Sequence, residues 1–243
     1  GSFFGCKKLS SFTIPTTVRF VTDGSFWDTK RYQDCCASAT DYIIMDNCLF
    51  GLTTSAQNNL KDIVVPQGVR VIASSAFGSG NFETATLSDT VRVIGDSAFA
   101  SSTIKSITIP PNSVKTIGSG AFRRSELVDV NIPEGVESIG DEAFYECDNL
   151  KSVIIAGTVK DIGARCFAES DYVESILMKE GVENIGASAF ERTGYQGGYR
   201  WGDSVRIDLP STLKSIGESA FNWAGYKWVS PYVADIAKWC EIA

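Results

Sequence analysis

The sequence predicts a single solenoid of stacked, near-identical coils, each made of one short strand and a return path. Three observations carry that prediction. The string Ile94-Gly95-Asp96-Ser97-Ala98-Phe99 recurs as Ile-Gly-x-x-Ala-Phe at 117–122, 139–144, 185–190 and 216–221. Two further copies carry one change each: Ala73 for Gly at 72–77, and Cys166 for Ala at 162–167. The closing residues Phe77, Phe99, Phe122, Phe144, Phe167, Phe190 and Phe221 are separated by 22, 23, 22, 23, 23 and 31 positions. A fixed period of that size marks a repeat architecture.

Each part of the unit has a physical reading. One copy runs Leu127-x-x-Val130-x-Ile132-Pro133-x-x-Val136-x-x-Ile139-Gly140-x-x-Ala143-Phe144-x-x-Cys147-x-x-Leu150. Val130 and Ile132 alternate with polar residues, the period of a strand with one face buried. Pro133 has no amide to give a ladder and ends the strand. The spacing of Val136 and Ile139 suits a tight turn or one 3₁₀ turn on the opposite side, and Gly140 is expected to relieve a backbone constraint there. The residue before each Phe is Ala or Cys, and the residue three after it is Gly, Ser, Cys, Thr or Ala. Slots filled only by small residues are where backbones approach closely. A lone coil cannot bury its apolar face, so neighbours must stack into one core.

The ends and the gap are less regular. Phe3 and Cys6, then Leu9-x-x-Phe12-x-Ile14-Pro15-x-x-Val18, form a degenerate repeat over 3–26. Register is lost over 27–59, where Tyr42-Ile43-Ile44-Met45 and Cys48-Leu49-Phe50 read as a β-hairpin insertion at about 40–52. Seven repeats fill 60–229, one of them lengthened by an insertion at 194–204. Ser230-Pro231 and the spacing of Val233, Ile236, Ala237 and Cys240 predict a short capping helix over 231–240. From the start inside a repeat and the apolar last residues, a segment of a longer chain is expected.

This unit resembles the BspA-like, or Treponema pallidum-type, branch of the leucine-rich repeats. The resemblance covers roughly 3–26 and 60–229. It departs from the pattern at Ser88 and Ala156, where Pro is usual, and in the gap and the insertion. It implies a leucine-rich-repeat solenoid: a β-rich right-handed superhelix with short strands on a concave face and turns or 3₁₀ segments on the convex side. It also implies a secreted or cell-surface setting and binding of other proteins, host matrix included, rather than catalysis.

Composition excludes other classes. The 243 residues carry a net charge of −7 and contain no His. An acidic chain has no general attraction for nucleic acid or anionic membranes. Without His, Ser-His-Asp and Cys-His catalysis and His-ligated metal sites are out. No apolar run approaches membrane-spanning length. No nucleotide loop, nucleophile elbow or metal-spaced cluster occurs, so no catalytic residue, cofactor or metal is expected. Of the seven cysteines, Cys6, Cys147 and Cys166 fall in small-residue slots and read as core thiols. Cys35, Cys36 and Cys48 leave one disulfide open, and Cys240 reads as packing in the cap.

Two surfaces are candidates for binding. The outward strand positions Val64, Thr86, Thr108, Asn131, Ile154, Leu177 and Asp208 should form a stripe on the order of 30 Å long at ~4.8 Å per rung. Ile154 and Leu177 are apolar where solvent is expected, which marks either a contact surface or a covering segment. The insertion brings Tyr195, Tyr199, Arg200 and Trp201, residue types enriched at binding hot spots; they form either a platform for a protein or glycan, or a seal over the open core. Trp223, Trp228 and Trp239 read as sealing. The expected function is a non-catalytic, adhesin-like binding module. The alternatives are a carbohydrate-binding adhesin and a rigid spacer within a larger surface protein.

Overall fold

The computed structural model describes residues 2–18, 20–22, 24–195 and 205–224. Each coil alternates a longer strand with a two-residue strand. The longer strands are Asp62–Val64, Thr84–Thr86, Ser106–Thr108, Asp129–Ile132, Ser152–Ile155, Ser175–Met178 and Arg206–Asp208. They pair in parallel with their counterparts in the next coil, Val153 opposite Val130 and Ile176 in turn. Inward residues such as Val130, Val153 and Ile176 are at most 2% exposed, as the alternation predicts.

The return path holds more order than the expected turn. Residues such as Ser138–Ile139 and Asp161–Ile162 are short parallel strands, and seven of them continue one nine-stranded sheet. The hairpin forms as Tyr42–Met45 against Cys48–Leu52. Its second strand pairs in parallel with Val71–Ile72, so it supplies the first rungs of that sheet. The rest of the gap holds two helices that no apolar period announces: Lys30–Ser38, capped by Thr29, and Thr54–Asn59, capped by Thr53. In both, the threonine side chain accepts from an amide of the first turn.

The third side of each coil is the Ala-Phe turn. Phe77, Phe99, Phe122, Phe144, Phe167, Phe190 and Phe221 stack in one file with ring centroids 4.9–5.4 Å apart. Rings 99 to 190 are fully buried. The small slot before Phe exists because coils bond here through backbone. The amides of Ser97, Phe99 and Ser101 donate to the carbonyls of Ser119, Ala121 and Arg123 in the next coil at 2.7–2.9 Å. The small slot after Phe has a second reason. Cys147, Ser170 and Thr193 donate to the carbonyls of Phe122, Phe144 and Phe167 in the preceding coil, at 2.8–3.1 Å. The Phe122 carbonyl also accepts from the Ser125 amide at 3.0 Å, whereas for Phe144 and Phe167 the side chain supplies the donor that a buried carbonyl needs.

That turn bends the chain sharply. Residues two before and two after Phe are left-handed: Ser97 and Ser101, Glu142 and Glu146, Arg165 and Glu169, Ser188 and Arg192, at φ +52 to +58°. An L-residue in that region costs roughly 1–2 kcal/mol, offset here by the ladder between coils. Gly140 has a different role from the expected one. Its φ is ordinary, but a Cβ would stand 2.6 Å from the Ser119 amide nitrogen and 2.7 Å from the Gly118 carbonyl carbon. Gly163, Gly186 and Gly217 lie equally close to the coil before them. This glycine is needed for close approach.

The N-terminal segment packs separately. Ile14, Val21, Phe26, Met45, Cys48, Val71, Ala73 and Val93 form a second, smaller core. Cys147 and Cys166 are buried thiols, whereas Cys6, expected in the core, is exposed. Cys35, Cys36 and Cys48 are free thiols, so the disulfide left open among them is absent. Trp223, expected to seal the core, is exposed. Trp228, Trp239, Cys240 and the expected helix over 231–240 lie outside the described residues. Among the described residues no helix is long and apolar enough to cross a membrane.

Candidate binding surface

The outward row of the long strands is where the sequence placed it. Val64, Thr86, Thr108, Asn131, Ile154 and Leu177 are all exposed, and Asp208 is half-buried. The row is not one continuous stripe. Residues 64, 86 and 108 belong to a three-stranded sheet, and residues 131, 154, 177 and 208 to a four-stranded one. The break falls after Ser106–Thr108, at Pro110-Pro111-Asn112, the one strand exit in the seven repeats with an extra residue; Asn112 is left-handed there.

Both ends of the row are occupied by polar contacts. The Val64 amide, on the first long strand, donates to the Tyr42 hydroxyl at 2.9 Å, which satisfies a sheet-edge donor. At the other end Arg206 and Asp208 form an ion pair at 2.9 Å. Hydrogen bonding to Asp208 raises the Arg206 pKa further. The neighbouring row is also tied rung to rung: Thr84 donates to Asp62 at 2.6 Å, and Ser152 donates to Asp129.

Between these polar ends lie Ile154 and Leu177. They sit opposite each other in the ladder, with Asn131 before and Asp208 after. Ile154 is 37% exposed and Leu177 40%, so no described segment covers them. Two adjacent apolar side chains on a polar sheet face form a small hydrophobic contact point framed by hydrogen-bonding groups, the pattern of an interface centre and rim. Sequence reasoning passed over Tyr172, 53% exposed just before Ser175–Met178. It occupies the coil position of Asn149, where only its residue type signals it.

The insertion candidates are described only in part. Tyr195 is half-buried beneath the Arg192 guanidinium, 5.1 Å from the ring centroid. Tyr199, Arg200 and Trp201 lie outside the described residues. On the turn face, Tyr145 is held between Arg123 and Arg165 at 5.0 and 4.7 Å, and Glu142 pairs with both arginines. The two arginines share that one carboxylate, and the buried Arg123 Nε has no hydrogen-bond partner among the described residues.

The family model for the BspA type leucine rich repeat region matches residues 1–105 and 92–197, in six copies. The chain belongs to the BspA-type leucine-rich repeat family. Among solved structures, this BspA-type chain is similar to the T. pallidum leucine-rich repeat protein, at 21% identity and a TM-score of 0.61, covering 80% of this chain and 86% of that one. It also matches the pneumococcal vaccine antigen PcpA at 17% identity and a TM-score of 0.45, over 74% and 64% of the two chains. A leucine-rich cell surface protein from Faecalibacterium prausnitzii matches at 23% identity and a TM-score of 0.34, over 77% and 64%. No curated protein matches the chain. At these identities the T. pallidum match establishes the solenoid. BspA-type and other leucine-rich repeats are generally non-catalytic and often bind proteins.

Proposed function

We propose that this chain is a non-catalytic, adhesin-like module of a secreted or cell-surface protein, and that its long-strand face receives a protein partner, with host extracellular matrix the first candidate. The observation that carries this reading is the exposed, in-register pair Ile154 and Leu177 on an otherwise polar sheet. Covering such a pair removes apolar surface from water at roughly 25 cal/mol per Å². The neighbouring Asn131 and Asp208 supply hydrogen-bonding groups at the rim. A rigid column also loses little conformational freedom on binding, which favours affinity.

The test is Leu177→Asp. Its side chain is exposed, so the variant should keep the wild-type circular dichroism spectrum and melting temperature. Binding to solubilised host matrix proteins, measured by surface plasmon resonance, should weaken by about tenfold or more. Unchanged binding would remove the long-strand face from the reading. Loss of folding would show that Leu177 belongs to the core.

A further inference from the structure

A second face carries a charge pattern that the long-strand surface does not explain. The residues leading into the short strands form one row along the molecule: Arg70, Arg92, Lys115, Glu137, Lys160, Glu183 and Lys214. From Arg92 onward each amide donates to the carbonyl of the rung before it, at 2.7–3.1 Å. From Lys115 the signs alternate and the rungs pair: Lys115 with Glu137 at 3.3 Å, Lys160 with Glu183 at 3.2 Å, and Lys214 with Glu183. The two lysines hold the Glu183 carboxyl below its usual range, the Lys214 hydrogen bond most.

Arg70 and Arg92 break that alternation. Among the described residues the Arg92 guanidinium donates only to backbone carbonyls, those of Asp89, Val91 and Ser113. Arg70 has no carboxylate partner among the described residues. Cations on neighbouring rungs ~4.8 Å apart repel unless an anion lies between them. These two rungs also lack open solvent on one side. Thr16, Thr17 and Val18 of the N-terminal segment face them across a groove of about 450 Å³ that runs from Arg70 past Arg92, Lys115 and Thr116 to Glu137. One rung upstream, the carbonyl of Asn47 accepts from the Arg70 amide, and the buried Asn47 side-chain nitrogen has no hydrogen-bond partner.

We propose that this groove binds tetrahedral oxyanion groups, sulfate or phosphate esters carried in pairs on one ligand. Arg70, Arg92, Lys115 and Thr116 line one wall, and Thr16 and Thr17 the other. A tetrahedral oxyanion offers oxygens to both walls at once, whereas a planar carboxylate is satisfied by one arginine fork. Arg70 to Lys115 spans two rungs, about 10 Å, room for two such groups. Glu137 ends the cationic run and sets that limit. The protein as a whole is acidic, with net charge −7, so attraction is local to the groove and screened beyond roughly 10 Å at ordinary salt.

Isothermal titration of the full chain with a fully sulfated disaccharide and with tripolyphosphate tests this, with the unsulfated disaccharide as control. At least one anionic probe should bind, more weakly as salt rises; which one binds identifies sulfate or phosphate as the source. Arg70→Gln should weaken it by roughly fivefold to tenfold, as loss of a charge-assisted contact does. Lys115→Gln should weaken it less, and Lys160→Gln should leave it unchanged. Arg70 is exposed, so its replacement spares the fold, which a thermal melt verifies. Failure of both probes to bind, or equal effects of Arg70→Gln and Lys160→Gln, would overturn the assignment.

Discussion

The column of regular coils and the N-terminal segment use the same residue types to different ends. In the column each Phe meets its equivalents one coil away, with rings within 21° of parallel. In the N-terminal segment Phe26 stacks on Phe3 and Phe12 but meets Phe50 edge-on at 86°. Phe3 is 43% exposed, while Phe144 is fully buried. Regular coils share every stabilising contact with two neighbours, so they should open together. The N-terminal cluster has its own core and should open first.

Replacing one ring from each region is the strongest way to break that contrast. Phe144→Ala should cost about 3–5 kcal/mol, since a fully buried ring leaves a cavity between two coils. Phe26→Ala should cost less, and its hydrogen-exchange losses should stay within the first sixty residues or so. Equal losses across the whole chain would mean the two regions fold as one unit. Gly163→Ala comes next. The added methyl meets the Asp141 amide nitrogen at 2.4 Å, and urea unfolding should register about 1–3 kcal/mol of destabilisation. The equivalent residue at the column's first coil is already Ala73, which sits on the smaller core instead.

Thiol titration gives the smallest effect and separates the regions chemically. Burial pushes the Cys147 thiol up to about 11 from 9.0. Above pH 9 the unfolded chain releases that proton while the folded chain keeps it, so stability should fall between pH 9 and 11, by about 1–2 kcal/mol from this residue. Cys147→Ser, a residue that repeats elsewhere in the same slot, should reduce the fall. Exposed Cys6 should react with thiol reagents at once, and Cys166 only on unfolding.

The fold was legible because the period and the single large Phe per coil leave one arrangement that buries them all. Strand alternation alone turned Ile154 and Leu177 outward, but whether another segment covers them was left open until the structure showed both exposed. The helices Lys30–Ser38 and Thr54–Asn59 were not, because the first buries no residue and the second only Ala56; with no apolar stripe, only their capping threonines betray them. The short strands span two residues, too few to alternate. The sequence analysis passed over the extra residue at Pro110-Pro111-Asn112, and its coincidence with the split in the long-strand row belongs to three dimensions. The cationic groove joins residues from 16 to 137, a proximity that no local pattern encodes.

The left-handed slots beside each Phe bear on how such a protein changes. Ser, Arg, Glu, Trp and Gly all occupy them at nearly the same dihedral, because the bend is enforced by amides bonded to the adjoining layer and not by the side chain. What stands there can therefore change one letter at a time, β-branched residues and proline aside. Lineages of this chain can vary the charge written along that side without renegotiating the hydrophobic interior beneath it.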